Sequence, residues 1–438
     1  MKIARKKVYK NGATLIYKKQ RSKSTSVLAG FIFGRNRDKY PEPTAHFLEH
    51  MFFKATENKN EKQLREAQLN TFSSMKNGAT SLFYTEIDFC RSNKALIPCF
   101  ELASEMLLKT KINTKSVNTE KGVIKQELVR KLNNPDAIFF YTNRRALYNS
   151  YALNTNVLGS EEEIEAMNAK TLKKFRDEVF ISQNFVITIE GGISFRKAKR
   201  LAEKYFINKL NSNPTYSIDK LVCPSVEKEG NLNIEYYNFK KAICRITILI
   251  DKEDETIKNK KIISLLCKLS NGMNGKILGR LRDKGLVYSG RMDFGSVPQY
   301  MLTINFNCSS DNINRCIEEI GNVLNDYRSK LVDTKLIDKI KENKKLSKDE
   351  LVQQIYPSYL FADYLYKTEE EMFSKKYKKE SKKIYEQINA EDIKEFSNVV
   401  FSKPENIYVA ILTEKDKESF YTYEQIQNIL TKNKKSKK

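Results

Sequence analysis

The sequence predicts an α+β protein made of two copies of one domain of about 220 residues. Three observations predict it: an internal repeat, β-rich apolar runs near the start and end of each half, and amphipathic helical patterns between them. A shift of 221 residues lays EAMNAKTLKKFRDEVF (Glu165 to Phe180) on EQINAEDIKEFSNVVF (Glu386 to Phe401), with seven of the sixteen positions identical, far above chance. Both copies run on into an apolar stretch rich in β-formers, NFVITIE after the first and NIYVAIL after the second. A similar shift relates TSVLAGFIFG, starting at Thr25, to AICRITILID, starting at Ala242. Each reads as a strand near the beginning of its half.

The boundary falls near 220 to 232, where LVCPSVEKEGN carries Pro, Gly and charge without periodicity. The expected domains are therefore 1–225 and 232–438. Within each, KTLKKFRDEVF or its mate reads as a helix ending at a strand, and ISFRKAKRLAEKYF reads as a surface helix on the sheet. Strands before and after a helical middle suggest an open sheet covered by helices, without the strict alternation of a doubly wound fold.

Composition excludes several classes. Hydrophobic residues make up 40% of the chain, with 24 Phe and 23 Tyr, which rules out a disordered polyelectrolyte although 30% of positions are charged. The 78 Lys and Arg against 54 Asp and Glu leave a net charge of +24, a field that would draw nucleic acid or anionic surfaces. The basic residues are scattered rather than gathered into one stripe, and no nucleic-acid ligand is expected. The seven cysteines are odd in number and contain no CxxC pair, so neither a disulfide framework nor a thiolate zinc site is signalled. The N-terminus, MKIARKKVYKNGATLIYKKQ, lacks an apolar segment, and no later run approaches the roughly 18 apolar residues of a spanning helix. The expectation is a cytoplasmic protein with no membrane span.

Only two histidines occur, His46 and His50, four apart in TAHFLEHMFFKAT with Glu49 between them. At 3.6 residues per turn the three side chains leave one face of a helix. Two imidazoles can then hold a divalent metal while Glu49 touches a bound water. The order H-x-x-E-H inverts the commoner H-E-x-x-H zinc-peptidase pattern. The bland alternative is a pair of buried imidazoles that are merely hydrogen-bonded. Two imidazoles leave zinc short of a third protein ligand, and TEKGVIKQELVRKLNNP offers Glu120 and Glu127, seven apart and thus two turns along one helical face. Spacing leaves open which one ligates and which orients a ligand from behind.

HFLEHMFFKAT resembles the pitrilysin/insulinase superfamily of zinc metallopeptidases, specifically the single-chain members similar to the mitochondrial processing peptidase, and the resemblance spans nearly the whole chain. It implies two related domains, each a mostly antiparallel sheet of about six strands with helices packed on one face. It also implies one zinc ion per chain held by His46, His50 and Glu127, with Glu120 behind the ligands and Glu49 as the general base and then general acid. NGATSLFYT looks like the family's N-A-x-T strand, whose Asn helps to hold the substrate backbone, a role that would fall to Asn77; Gly78 stands where Ala is usual. LSNGMNGKILGRLRDKGLVYS is similar to the family segment whose Arg and Tyr reach the substrate, mapping those roles to Arg282 and Tyr288. One residue is missing between Lys284 and Gly285, which lets Arg280 compete for the arginine role.

The resemblance implies a zinc endopeptidase that cuts unfolded peptides or presequence-like segments in a closed chamber, as a homodimer or with a related chain. The rival reading is a non-catalytic core subunit of the same superfamily, whose zinc motifs are usually eroded; here every position of the motif is present.

Overall fold

The protein is described by a computed structural model over residues 3–33, 39–72, 76–148, 156–212, 226, 229–238, 240–295, 300–350, 357–416 and 419–431, with backbone alone at 76, 343–350 and 357–359. Chain contacts divide it into two units. The first holds Met1–Arg130, Thr155–Val222 and Gln353–Lys375; the second holds Lys131–Asn154, Cys223–Val352 and Lys376–Lys438. Relative to halves split at 225 to 232, two segments change sides: 131–154 joins the second unit and 353–375 joins the first. Most of the expected linker LVCPSVEKEGN lies outside the described residues.

The first unit carries strands β1 (Arg5–Val8), β2 (Thr14–Lys19), β3 (Ser24–Ile32), β4 (Lys76–Thr80), β5 (Tyr84–Ser92) and β6 (Phe185–Gly191), in the order β1-β2-β6-β3-β5-β4. The second carries β7 (Asn231–Tyr236), β8 (Ala242–Leu249), β9 (Val287–Gly295), β10 (Met301–Cys308) and β11 (Ile407–Thr413), in the order β7-β11-β8-β10-β9. Among the described residues the two orders are the same arrangement with one edge strand fewer in the second. Pairing is antiparallel except for β2 with β6 and β7 with β11, which are parallel. The repeated runs noted in the sequence are β6 with β11 and β3 with β8. In each unit they lie side by side at the centre of the sheet.

Central strands read as continuous apolar runs because both faces are covered. Along β3, Val27, Ala29 and Phe31 enter the large core beneath the helices, with Phe47, Leu48, Phe52 and Ile187. Leu28 and Ile32 point the other way, against Leu360 and Phe361 of the helix Pro357–Tyr366. The second unit repeats the plan: Cys244, Ile246 and Ile248 face its main core, while Ile243, Ala410 and Leu412 meet Phe139 and Ala146 of the helix Pro135–Leu147. Helices thus cover both faces of each sheet, more than the single covered face expected, and the additional helix is in each case the exchanged segment.

The repeated Asn-Ala marks a helix start. Asn168 Oδ1 accepts from Thr171 N at 3.0 Å at the head of Ala169–Val179, and Asn389 Oδ1 accepts from Asp392 N at 3.0 Å at the head of Ala390–Val400. Such caps satisfy amide groups that have no intrahelical partner. Among the described residues no helix is long and apolar enough to cross a membrane.

Candidate metal centre

The site lies in the first unit and is built on two helices and an edge strand. The helix Thr44–Phe52 buries Ala45, Phe47, Leu48, Met51 and Phe52 in the core, which turns His46, Glu49 and His50 to its remaining face. The helix Thr114–Leu132 buries Val117, Glu120, Ile124 and Leu128. That is an apolar stripe at helical spacing interrupted by one acid. Glu120 is only 2% exposed. An acid in such a position needs charged or hydrogen-bonding partners.

Its partners are His50 and Lys54. His50 Nδ1 and Glu120 Oε2 lie 2.7 Å apart, and the Lys54 ammonium forms an ion pair with Glu120 Oε1. Burial works against ionisation of Glu120, but the hydrogen bond with His50 and the Lys54 ammonium beside it outweigh it and hold the carboxyl below the ordinary range. With its Nδ1 facing a carboxylate, His50 presents Nε2 to the other acid: Glu127 Oε2 lies 3.7 Å from His50 Nε2 and 3.7 Å from His46 Nε2.

These three residues offer one donor atom each within 4.8 Å of one another. The 3.7 Å separations are too long for hydrogen bonds. They come within a few tenths of an ångström of the roughly 3.3–3.4 Å that separates neighbouring ligand atoms around a tetrahedral ion with bonds of about 2.0–2.1 Å. Two imidazoles and one carboxylate with an open fourth position is the donor set of a catalytic zinc ion, so the residues fit the metal.

Glu49 stands beside this set. Thr80 Oγ1, at the end of β4, donates to Glu49 Oε2 at 2.9 Å. Burial pushes the Glu49 carboxyl up, Thr80 and His50 pull it down, and Glu127 pushes it up again; the balance lies above the ordinary value. Gly78 explains how strand and helix come so close: a Cβ there would stand 2.8 Å from Glu49 Oε1 and 2.7 Å from the Phe53 ring. β4 pairs only with β5 among the described residues and so forms an edge of the sheet. Asn77 sits exposed on it, opposite Asp88 of β5. Desolvation pushes Asp88 up to about 6.

His46, Glu49, His50, Glu120 and Glu127 are therefore brought together, with Asn77 on the neighbouring strand. Arg282 and Tyr288 belong to the second unit. There Arg282 Nη1 donates to the Tyr288 carbonyl at 3.1 Å, its guanidinium lies 5.5 Å from the centre of the Tyr288 ring, and Tyr288 is 85% exposed. Arg280 is occupied elsewhere, at 2.7 Å from Glu319 and 3.3 Å from Asp326. The shortened loop is closed by Gly285 at φ +66°, whose N–H bonds Arg282 O at 2.8 Å, an end that suits a residue without a side chain. Sequence reasoning missed Thr80 and Lys54, although both stand inside quoted motifs.

The family description "Insulinase (Peptidase family M16)" matches residues 20–161 and "Peptidase M16 inactive domain" matches residues 166–344. The chain belongs to the insulinase, or M16, peptidase family. Its relatives include an uncharacterized zinc protease of Bacillus subtilis, 23% identical over 349 residues, which covers 76% of this chain and 81% of that protein. A probable mitochondrial-processing peptidase subunit beta of Schizosaccharomyces pombe is 31% identical over 165 residues, 37% of this chain and 35% of that one. The second match thus spans about a third of its relative. Among solved structures, an M16 inactive domain from Pseudomonas fluorescens superposes with a TM-score of 0.77 at 15% identity, covering 94% of this chain and 98% of that one. A protease from Helicobacter pylori gives 0.74 at 17%, covering 94% and 100%. Both show the fold. The second half of this M16 chain contains no histidine.

Proposed function

We propose that this M16 chain is a zinc-dependent endopeptidase acting on unfolded peptides or presequence-like segments. The observation that carries the reading is the convergence of His46 Nε2, His50 Nε2 and Glu127 Oε2 beside an independently held Glu49. Zinc bound there supplies a Lewis acid that acidifies water and polarises the scissile carbonyl. Glu49 takes the proton of the attacking water and delivers it to the leaving amine nitrogen. Its raised affinity for protons suits both halves of that task. Glu120 holds His50 with its Nδ1 protonated and so keeps Nε2 available as a ligand.

The open edge of β4 supports extended binding of a peptide as an added strand, with Asn77 holding its backbone. Arg282 and Tyr288 complete the reading as the residues that position the peptide and stabilise the oxyanion. Arg280 is the weaker candidate, since its ion pairs already engage it. The reading extends to a pair of chains, identical or related, that enclose the peptide; the mitochondrial relatives are named as subunits. The rival, a non-catalytic subunit, has no use for a Glu49 held by Thr80 beside a complete donor set.

The test combines metal analysis with cleavage. A mixed pool of unstructured peptides is incubated with the zinc-loaded protein and with Glu49→Gln, and the products are read by mass spectrometry. One zinc per chain and cuts that vanish in Glu49→Gln support the peptidase. Bound zinc with no cuts from either protein moves the weight to a subunit that needs a partner or has no activity.

A further inference from the structure

Lys54 lies just beyond the C-terminus of the histidine helix, its N–H bonded to Met51 O at 3.2 Å, and follows His50 by four residues. Its side chain is 19% exposed, and its ammonium pairs with Glu120 Oε1 and, at 3.5 Å, with Glu61 Oε1 at the start of the helix Glu61–Phe72. Glu120 is thereby gripped at both oxygens, Oε1 by Lys54 and Oε2 by His50. With one oxygen tied and the other unopposed in a buried site, a carboxylate can turn about its last torsion and lose the alignment that a short hydrogen bond requires.

We propose that Lys54 is a positioning residue for the metal centre: by anchoring the far oxygen of Glu120 it fixes the near oxygen against His50 Nδ1, and so fixes the ring and tautomer that present His50 Nε2 toward Glu127. The inference rests on the zinc reading for its purpose, while the relay from Lys54 through Glu120 to His50 consists of contacts within the chain itself. Lys54 touches neither the proposed ligands nor the reacting atoms, so its effect is transmitted through Glu120. Partners behind a ligating histidine are typically worth about 10–100-fold in metal affinity.

Two measurements test this, each made on Lys54→Met, Lys54→Arg, Glu120→Gln, the double variant Lys54→Met/Glu120→Gln, and Glu61→Gln, with thermal melting to establish that each is folded. The first is zinc affinity by competition with a chromophoric chelator. Lys54→Met is expected to weaken binding about 10–100-fold and Lys54→Arg by no more than about threefold. Glu61→Gln is expected to bind as the parent does, and the double variant to bind no more weakly than Glu120→Gln alone, since both act along one path. Additive losses in the double variant, or an unchanged affinity in Lys54→Met, would overturn the proposal.

The second is long-range proton–nitrogen NMR of the zinc-free protein labelled at histidine, where only two imidazoles contribute. His50 is expected as a single Nδ1-protonated tautomer in the parent and in Lys54→Arg, and as a mixture in Lys54→Met. A parent that binds no zinc but shows this change would sink the peptidase reading and leave the relay standing. A bound zinc with an unchanged His50 signal in Lys54→Met would do the reverse.

Discussion

Thr80 donates its hydroxyl to Glu49 across the gap between an edge strand and the helix Thr44–Phe52, at 2.9 Å. The same hydroxyl oxygen lies 3.1 Å from Thr85 Oγ1, so the donor is itself oriented by the adjacent strand. A hydrogen bond to a carboxylate stabilises the ionised form. Thr80→Val therefore raises the Glu49 carboxyl further above its ordinary value, and the acid limb of kcat/KM moves to higher pH. Thr80→Ser leaves the limb in place. The pH profile of cleavage by the three proteins checks this, and a profile unmoved in Thr80→Val removes Thr80 from the account.

Gly78→Ala tests the closeness of strand and helix. The added methyl would stand 2.8 Å from Glu49 Oε1 and 2.7 Å from the Phe53 ring, closer than carbon contacts permit. Either Glu49 or β4 must move. Displacement of a catalytic group by a fraction of an ångström costs about tenfold or more in rate. The nearest neighbours of that methyl are Glu49 and Phe53 rather than the proposed zinc ligands, so kcat is expected to fall while zinc content stays at the parent's level. Loss of zinc in Gly78→Ala would contradict that separation.

Asp88 predicts a change of stability with pH. Its carboxyl is pushed up to about 6 in the folded protein by desolvation. A raised acid binds its proton more tightly folded than unfolded, so below about pH 4, where both states are protonated, ionisation costs nothing. The cost enters as pH rises from there and is complete above about pH 6. Asp88→Asn should therefore stabilise the protein at pH 7.5, by about 1 kcal/mol after allowing for its partial exposure to solvent, and do little near pH 4. Urea unfolding at the two pH values measures it.

Arg280 and Arg282 should separate cleanly. Arg280→Ala breaks pairs with Glu319 and Asp326 that are partly shielded from water, and is expected to lower stability by about 1 kcal/mol. Arg282→Ala leaves the melting temperature almost unchanged and raises KM about tenfold, as loss of one charge-assisted contact to substrate would. If Arg280→Ala raises KM while keeping its stability, the substrate role passes to it.

The sequence made the metal helix legible because histidine is so rare in it: two imidazoles at one-turn spacing with an acid between leave little else to read. The repeat was legible for a different reason, since Asn168 and Asn389 are caps and Phe185–Gly191 and Ile407–Thr413 are central strands, positions where residue choice is narrow. The division of labour between Glu120 and Glu127 was not, because positions seven apart share a helix face and only the neighbours His50 Nδ1 and Nε2 tell them apart. Thr80 stands at the T of the N-A-x-T pattern, but the pattern does not tell that its hydroxyl reaches Glu49. The exchanged helices were hidden because Leu360 and Phe361 look like any amphipathic pattern, and which sheet they cover is a matter of long-range packing.

That exchange bears on how the chain is made. A ribosome delivers residues in order, and the first unit needs a segment that ends at Lys375. Until then Ile16, Leu28, Ile32 and Val186 lack the cover of Leu360 and Phe361. The sheet that carries the histidines therefore waits with one apolar face bare while most of the second unit is being translated, and bare apolar sheet is what chaperones recognise and what aggregates. Neither half can be issued as a finished part: a polypeptide stopped near residue 222 would hold both histidines and all three glutamates of the centre and still lack a wall of its own house.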